Sequence, residues 1–331
     1  MNNNFKKAFS LIEISMVILV VGILIAGISK GIDMVYDMRL ATARALTDKA
    51  PMFGMENLEL WLETTSENSL ATGTGASFTN VINPEDNQAI GKWNDLNPTT
   101  VNSTYKNHAI QATSGYQPLY IKDGINGLPA LLFDGVDDYF YANDGKTNFA
   151  EFTLFIVFFS QPKSTTTSNY GNLINVGCNG WVTSCVLNSS VSGYSISGSG
   201  GNPVIWIFVN NSNNSLSLMQ TINSGTTYLY SSYGVNMIGT IPRISKINFS
   251  NTQVKMSVNL KQSSTASSSP LVIGTNYLNF RIGTQKGNGE ASNNRNYKGY
   301  IGEIILFGRS LGDQETKLIE NYLSEKWRIV L

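Results

Sequence analysis

The stretch TLFIVFF at residues 153–159 decides the fold class of this chain. A continuous run of apolar and β-branched residues of this length is typical of a central strand covered on both faces. Between residues 57 and 331 the other apolar runs are short, and clusters of Asn, Gly, Ser and Asp separate them. This rhythm predicts a β-sandwich or jelly roll. The other predicted strands are Leu58–Leu62, Leu131–Phe133, Tyr139–Tyr141, Val204–Val209, Thr227–Tyr230, Arg243–Phe249, Val254–Leu260 and Tyr300–Phe307.

Five stretches follow one another along the chain: LELWL at 58–62, KWNDL at 92–96, QPLY at 117–120, INGLPALLFDGVDDY at 125–139 and IGEIILFGRSLGDQE at 301–315. In this order they resemble the laminin-G-like, concanavalin A-like jelly rolls of bacterial surface proteins. The resemblance covers residues 57–331 and implies one β-sandwich domain. Sandwiches of this kind include enzymes and lectins, so the fold alone does not decide the activity.

The chain ends in an amphipathic segment, KLIENYLSEKW at 317–327, which predicts a C-terminal helix. At the start of this helix the laminin-G-like domains often carry Ser or Thr where this chain has Gly312, so the hydroxyl that would cap the helix is missing. Glu315, three residues later, is the acidic residue of a capping box. The side chains expected to pack on the sandwich are Leu318, Ile319, Tyr322 and Leu323.

The N-terminal run FSLIEISMVILVVGILIAGI at 9–28 predicts a helix long enough to cross a hydrocarbon layer of roughly 30 Å. Lys6 and Lys7 precede the run, and no comparable basic cluster follows it directly. The positive-inside rule therefore places residue 1 in the cytoplasm and the rest of the chain outside it. The sequence predicts a single-pass membrane helix with an exported head.

Glu13 interrupts this apolar run, and a carboxylate at that depth costs roughly 2.5 kcal/mol or more unless it is paired. The stretch KKAFSLIE at 6–13 resembles the type IV prepilin signature. The resemblance implies that a prepilin peptidase cuts between Ala8 and Phe9 and that Phe9 is then methylated. It also implies that Glu13, as the fifth residue of the mature chain, pairs with the N-terminal amine of a neighbouring subunit.

The implied partners are the prepilin peptidase, other pilin or pseudopilin subunits and the inner membrane, with the pilus or cell surface as the location after assembly. Ala8 departs from the more usual glycine of the signature, and the lack of a proline in the following helix favours pseudopilins and minor pilins. A cleavable secretory signal and an ordinary single-span anchor are the alternatives. Glu13 argues against both, since such segments are usually uncharged.

Beyond the apolar run, residues 29–50 keep a helical period, with Met34, Met38, Ala41 and Ala45 on one stripe. Pro51 and Gly54 are expected to end the helix, because a proline biases the preceding residue away from helical dihedral angles. The predicted organisation is therefore a leader at 1–8, an assembly helix at 9–50, a linker at 51–56 and the sandwich at 57–331.

Cysteine and charge content limit the function classes. Basic and acidic side chains number 23 each, and no basic block is interleaved with aromatics, so nucleic-acid binding is not expected. Cys178 and Cys185 are spaced for a small disulfide loop in an oxidising compartment. The alternative is an Asn179-Gly180 hairpin that would set Cys178 opposite Trp181. Two Cys and one His are too few for a zinc site, and no cofactor or metal is expected.

Catalysis is not predicted. The paired glutamates of glycosidases on this architecture, as in an E-x-D-x-x-E string, are absent, and His108 has no motif linking it to a nucleophile. Asp134, Asp137 and Asp138 offer oxygen ligands for calcium, but the alternative is a turn in which the carboxylates cap backbone amides. Most of the tryptophans, Trp61, Trp93, Trp181, Trp206 and Trp327, are expected in the core rather than on a sugar.

The leading hypothesis is a minor pilin or pseudopilin of a type IV pilus or a type II secretion pseudopilus that displays its sandwich as an interaction head. The alternative is a surface adhesin or lectin that binds a glycan or a surface protein, with the helix as a membrane anchor. A membrane-tethered carbohydrase is the third hypothesis, and it requires an acidic pair facing a cleft.

Overall fold

In a computed structural model the protein is mainly β, with a long N-terminal helix and two antiparallel sheets that form a sandwich. Contacts divide the chain into two units, Met1–Thr42 and Ala43–Leu331, which are described separately. The structure describes residues 10–99, 106–143, 151–163, 170–178, 203–212, 214–222, 226–231, 237–239, 241–250, 253–266, 278–284 and 295–331.

Helix α1 spans Leu11–Thr47, and a 3₁₀ turn follows at Pro51–Gly54. Ala50, before the proline, is extended at φ −60° and ψ 142°, as predicted from the clash between proline and a helical predecessor. The predicted stripe of Met34, Met38, Ala41 and Ala45 is exposed. In the second unit the buried residues of this region lie instead on another face of the helix and in the turn: Ala43, Thr47, Ala50, Met52 and Met55.

Among the residues that the structure describes, nineteen strands follow this turn. They are β1 (Leu58–Glu63), β2 (Leu70–Thr74), β3 (Ser77–Asn80), β4 (Gln88–Ala89), β5 (Lys92–Trp93), β6 (Ala109–Ile110), β7 (Leu119–Ile125), β8 (Leu128–Asp134), β9 (Phe140–Asn143), β10 (Phe152–Ser160), β11 (Tyr170–Cys178), β12 (Pro203–Asn210), β13 (Ser215–Ile222), β14 (Thr226–Ser231), β15 (Arg243–Phe249), β16 (Gln253–Val258), β17 (Lys261–Ala266), β18 (Leu278–Ile282) and β19 (Lys298–Phe307).

The strands form two sheets. In each sheet some neighbouring strands are consecutive in sequence and form hairpins, whereas others come from distant parts of the chain. The first sheet has nine strands in the order β17-β16-β15-β10-β19-β8-β7-β4, with β1 also paired to β19. One edge of β19 pairs with β10, while its other edge pairs first with β8 and then with β1. The second sheet has ten strands in the order β14-β13-β12-β11-β18-β9-β6-β5-β2-β3.

Strand β10 confirms the prediction from TLFIVFF. It lies between β15 and β19, and its side chains enter two different cores because successive residues point to opposite faces. Leu154, Ile156 and Phe158 belong to the core between the two sheets. Phe155 and Val157 belong to a second core on the other face of the first sheet.

The second core is covered by the C-terminal helix α2, Asp313–Trp327. Ile319, Tyr322 and Leu323 are buried as predicted, but Leu318 is 55% exposed, so its predicted packing is wrong. Adjacent residues lie about 100° apart around a helix, and the buried face continues through Trp327 rather than through Leu318. At the helix start the backbone N–H of Gly312 donates to the carboxylate of Glu315 at 3.1 Å.

Most predicted strands are slightly shorter than the observed ones, whereas two of them run past an observed end for local reasons. Strand β16 ends at Val258 rather than at Leu260, because Asn259 and Leu260 take positive φ angles of 44° and 63° in the turn to β17. Strand β9 begins at Phe140, since Tyr139 still belongs to the turn after β8.

A fully buried ionic network joins β1, β19 and α2 across the second core. Lys326 Nζ lies 2.8 Å from Glu63 Oε2 and 2.9 Å from Glu303 Oε2, and all three side chains are inaccessible to solvent. Glu303 also accepts hydrogen bonds from the ring N–H groups of Trp61 and Trp327, each at 2.8 Å. Glu63 in turn accepts hydrogen bonds from the backbone N–H groups of Thr65 at 2.8 Å and Ser66 at 2.6 Å. Both carboxylates therefore have several donors, which offsets the cost of removing their charge from water.

Candidate functional site

The first unit contributes an apolar helical surface that its own residues do not cover. An 18-residue window of α1 has a mean hydropathy of 2.8 and is 0% buried, so this helix is long and apolar enough to cross a membrane. Its one acidic residue before Asp33 is Glu13. The Glu13 carboxylate accepts a hydrogen bond from the backbone N–H of Ser10 at 2.8 Å.

The predicted processing residues Ala8 and Phe9 lie outside the described residues, and so does Cys185. Cys178 is the last residue of β11. The predicted disulfide and the alternative hairpin at Asn179-Gly180 therefore stay predictions.

In the second unit, a line of side chains crosses the second sheet on the face turned away from the inter-sheet core. We call it the outer-face row. Cross-strand pairing places its members side by side, and their strand neighbours, such as Phe140, Ile174 and Ile282, enter the core. In sheet order the row consists of Lys92, Ile110, Tyr141, Arg281, Asn175, Trp206 and Met219.

Cations and aromatic rings meet along this row. The Arg281 guanidinium lies over the Tyr141 ring at 5.9 Å from its centroid. Arg295 lies over two rings, at 5.2 Å from Trp206 and 5.3 Å from Tyr170. Cation–π contacts of this kind hold a guanidinium in place without neutralising its charge. Burial raises the pKa of the Tyr141 phenol, and Arg281 partly offsets that increase.

Asn175, at the centre of the row, has an unsatisfied side-chain oxygen. Its Nδ2 donates to the carbonyl oxygen of Thr284 at 2.5 Å, which fixes the orientation of the amide. Its Oδ1 is buried, and it meets no hydrogen-bond donor among the residues that the structure describes. A buried acceptor without a donor costs about 1–3 kcal/mol, so a group from outside these residues is expected to complete it.

Comparisons with known proteins bear on the fold. No family model matches the chain, and no curated protein matches it. Solved structures do resemble it. Domain 4 of AbnA, a GH43 extracellular arabinanase from Geobacillus stearothermophilus solved with arabinotriose, is 15% identical, with a TM-score of 0.42 over 61% of this chain and 81% of that chain.

Two further solved structures come from sialidases. The Trypanosoma rangeli sialidase is 13% identical, with a TM-score of 0.46 over 91% of this chain and 39% of that chain. The Ruminococcus gnavus IT-sialidase CBM40 bound to α2,3 sialyllactose is 14% identical, with a TM-score of 0.36 over 53% of this chain and 83% of that chain. These similarities are in the fold, and they carry no statement about the activity of this chain.

The acidic residues after β8 form the predicted turn. Asp134 accepts hydrogen bonds from the backbone N–H groups of Val136 at 2.7 Å and Asp137 at 3.2 Å. Asp138 in turn accepts one from the N–H of Asp134 at 2.8 Å. The three carboxylates offer oxygens within 4.8 Å of one another. Burial, together with the neighbouring Asp134 and Asp137 charges, raises the pKa of Asp138 to about 7.

His108 and the tryptophans take structural positions. Burial and the charges of Lys92 and Lys106 lower the pKa of His108 to about 4, and its Nδ1 accepts a hydrogen bond from the backbone N–H of Asp95 at 3.1 Å. Trp61, Trp93 and Trp327 are core residues, as predicted. Trp206 is half-buried on the outer-face row, and Trp181 lies outside the described residues.

The outer-face row is not predicted as a unit from the sequence. Its members come from seven strands, and two of these, β5 and β6, have only two residues. The alternation in LNFRI at 278–282, with Phe280 and Ile282 apolar, was the available signal that Arg281 faces away from the core.

Proposed function

We propose that this protein is a pilin-like subunit, a minor pilin or pseudopilin, whose helix assembles with other such subunits and whose sandwich is displayed as a binding head. One observation carries the proposal. Helix α1 presents apolar side chains over a membrane-length window and interrupts them with a single carboxylate, that of Glu13.

The cost of this carboxylate is the physical reason. An unpaired carboxylate inside a bilayer costs free energy, up to about 2.5–3.5 kcal/mol at its centre on insertion scales, and one backbone donor from Ser10 leaves the charge of Glu13 in place. A cut between Ala8 and Phe9 by a prepilin peptidase would create an amine that a neighbouring subunit can offer. An ion pair in apolar surroundings favours the axial register that brings its partners together.

The test compares two neutral substitutions on one helix. Glu13→Gln is expected to abolish recovery of the chain in sheared surface filaments or in cross-linked subunit ladders. Asp37→Asn, which removes an exposed carboxylate farther along α1, is expected to leave recovery unchanged. Equal recovery of both variants would contradict the proposal. Mass spectrometry of the mature chain should find a methylated Phe9, and an intact Met1 would contradict processing.

The second candidate function is glycan binding by the sandwich, and the outer-face row favours it. Half-buried aromatic rings beside buried polar groups are the arrangement that sugar rings need, with apolar faces to stack and hydroxyls to hydrogen-bond. The ten strands of the second sheet, as the structure describes them, contain no Asp or Glu, so they offer no acid and nucleophile pair. We therefore propose binding without hydrolysis.

Full-length chain in detergent micelles, applied to a glycan array, tests the second candidate. Binding that Trp206→Ala weakens while Leu318→Ala on the exposed face of α2 does not would support it. An array on which the wild-type chain binds nothing would contradict it.

A further inference from the structure

We infer that a polar hollow in the second unit binds a tetrahedral oxyanion, a phosphate or sulfate group, between Lys255 and the first turn of α2. The hollow lies against β15, β16 and the start of α2, and we call it the α2 hollow. The lining residues that matter here are Lys246, Asn248, Lys255, Ser310, Asp313 and Thr316. The site is on the first sheet, so the inference is independent of the outer-face row and of the glycan-binding candidate.

The α2 hollow is large enough for such a group and is open to solvent. Its volume is about 180 Å³, whereas one water molecule needs only about 10–15 Å³ of accessible space. Lys255 and Asp313 are exposed, and Asn248 is half-buried. A ligand from solution can therefore reach the polar groups that line the hollow.

Lys255 supplies a positive charge that is free to meet a ligand. In the part of the chain that the structure describes, its ammonium group makes no salt bridge. The other lysine of the lining, Lys246, lies 3.1 Å from the carboxylate of Glu320 on α2, so its charge is already balanced. The Lys246–Glu320 pair also holds α2 against β15, which keeps the two walls of the hollow together.

Asn248 presents a neutral donor beside this cation. It is the direct cross-strand partner of Lys255 in the pairing of β15 with β16. The hydroxyl of Ser310 donates to Asn248 Oδ1 at 2.9 Å, which fixes the orientation of the amide. The Nδ2 group meets no acceptor among the described residues, so its N–H groups can donate to a ligand oxygen.

The start of α2 contributes further donors from the opposite wall. Gly312, the N-cap residue, has no side chain that could cap the helix, and the first N–H groups of a helix have no acceptor within it. These groups and the helix dipole favour a negative charge at this end. Thr316, at the end of the first turn, lines the hollow and is only 7% exposed. Its hydroxyl forms no hydrogen bond with the described residues, and a largely buried polar group without a partner is costly.

This set of donors favours a tetrahedral anion over a planar carboxylate. The donors come from three elements, β15, β16 and α2, so oxygens that point in several directions can each meet one of them. Among the described lining residues only Asp313 is acidic, and its charge opposes that of the ligand. Removal of that charge should therefore strengthen binding, whereas removal of the Lys255 charge should weaken it.

Isothermal titration calorimetry of the full chain in detergent micelles, in a phosphate-free buffer, measures the binding. The probes are inorganic phosphate, sulfate and glucose 6-phosphate, with acetate as the planar anion and glucose as the uncharged sugar. The variants are Lys255→Gln, Thr316→Val and Asp313→Asn. The matched control is Lys261→Gln, which removes an exposed cation at the start of β17, outside the hollow. Circular dichroism and thermal melts establish that each variant is folded.

The inference expects phosphate or sulfate to bind more tightly than acetate and to bind less tightly as salt is added. Lys255→Gln should weaken binding about tenfold or more, the size expected for one charge-assisted hydrogen bond. Thr316→Val should weaken it several-fold, Asp313→Asn should strengthen it, and Lys261→Gln should bind as the wild type does. Tighter binding of glucose 6-phosphate than of inorganic phosphate would support an esterified group as the ligand, and equal binding would support the free anion.

Four outcomes overturn the inference. They are the failure of every tetrahedral anion to bind, binding of acetate as tight as that of phosphate, binding of glucose as tight as that of glucose 6-phosphate, and equal affinity of Lys255→Gln and Lys261→Gln. None of these outcomes affects the Glu13 test or the glycan-array test.

Discussion

Replacing Lys326 by methionine should destabilise the second unit more than any surface change. The substitution keeps the length of the side chain but removes the ammonium that lies 2.8 Å from Glu63 and 2.9 Å from Glu303. Two carboxylates would then remain in the core without their countercharge. Removing one partner from a buried ion pair costs about 3–5 kcal/mol. For a domain of this size that corresponds to a fall in Tm of roughly 10 °C.

Tryptophan fluorescence during urea denaturation of the full chain in micelles measures this loss. Trp61 and Trp327 both donate to Glu303, so their emission reports the network directly. The control is Glu67→Gln, which breaks the exposed Arg44–Glu67 pair at 3.1 Å and should cost less than about 1 kcal/mol.

A second variant tests the cause of the effect. Adding Glu63→Gln to Lys326→Met removes one of the two stranded charges and should recover part of the lost stability. A Lys326→Met chain as stable as the Glu67→Gln control would refute the reasoning, because it would mean that the buried carboxylates need no countercharge.

Three further outcomes are expected. Burial alone would raise the pKa of Glu63, but the Lys326 charge and the hydrogen bonds from Ser69 and Thr65 outweigh it and lower this pKa. The stability that these interactions contribute should therefore be lost as the pH falls below about 4.5, which acid titration followed by circular dichroism would detect. Asp138, with its pKa raised to about 7, keeps a proton that the unfolded chain loses, so stability should fall between about pH 4 and pH 7, and Asp138→Asn should flatten that slope in thermal melts. Gly302→Ala would set a methyl group into the Trp327 ring, closer than van der Waals contact, and should cost about 1–3 kcal/mol in urea denaturation, whereas Gly115→Ala, with open space around it, should cost much less.

The sequence predicted those parts of the fold that local pattern determines. TLFIVFF produced β10 because burial on both faces leaves a continuous apolar run. Strand β11 was not predicted, since Gly171, Asn172 and Asn175 dilute the apolar signal of YGNLINVGC. These polar residues are buried through hydrogen bonds to distant segments, such as that from Asn175 to Thr284, which no short window of sequence contains.

The candidate sites likewise differ in whether a local sequence pattern predicts them. Glu13 stands out in sequence because a charge inside an apolar run of membrane-spanning length is costly in a bilayer. The network of Lys326 and Glu63 joins residues 263 positions apart, and the outer-face row depends on the register of seven strands. Both depend on contacts between residues that are far apart in sequence, and no local sequence pattern shows which residues will pair.

The pairing of β19 determines how its backbone amides exchange with solvent when the second unit unfolds. It is paired along both edges, with β10 on one side and with β8 and then β1 on the other. The central amides of β19 therefore face one of these neighbours rather than an open edge, and each can exchange with solvent deuterium only after that neighbour has separated. Its central amides should exchange last, at the rate of global opening, while edge strands such as β3 and β17 exchange through local fraying.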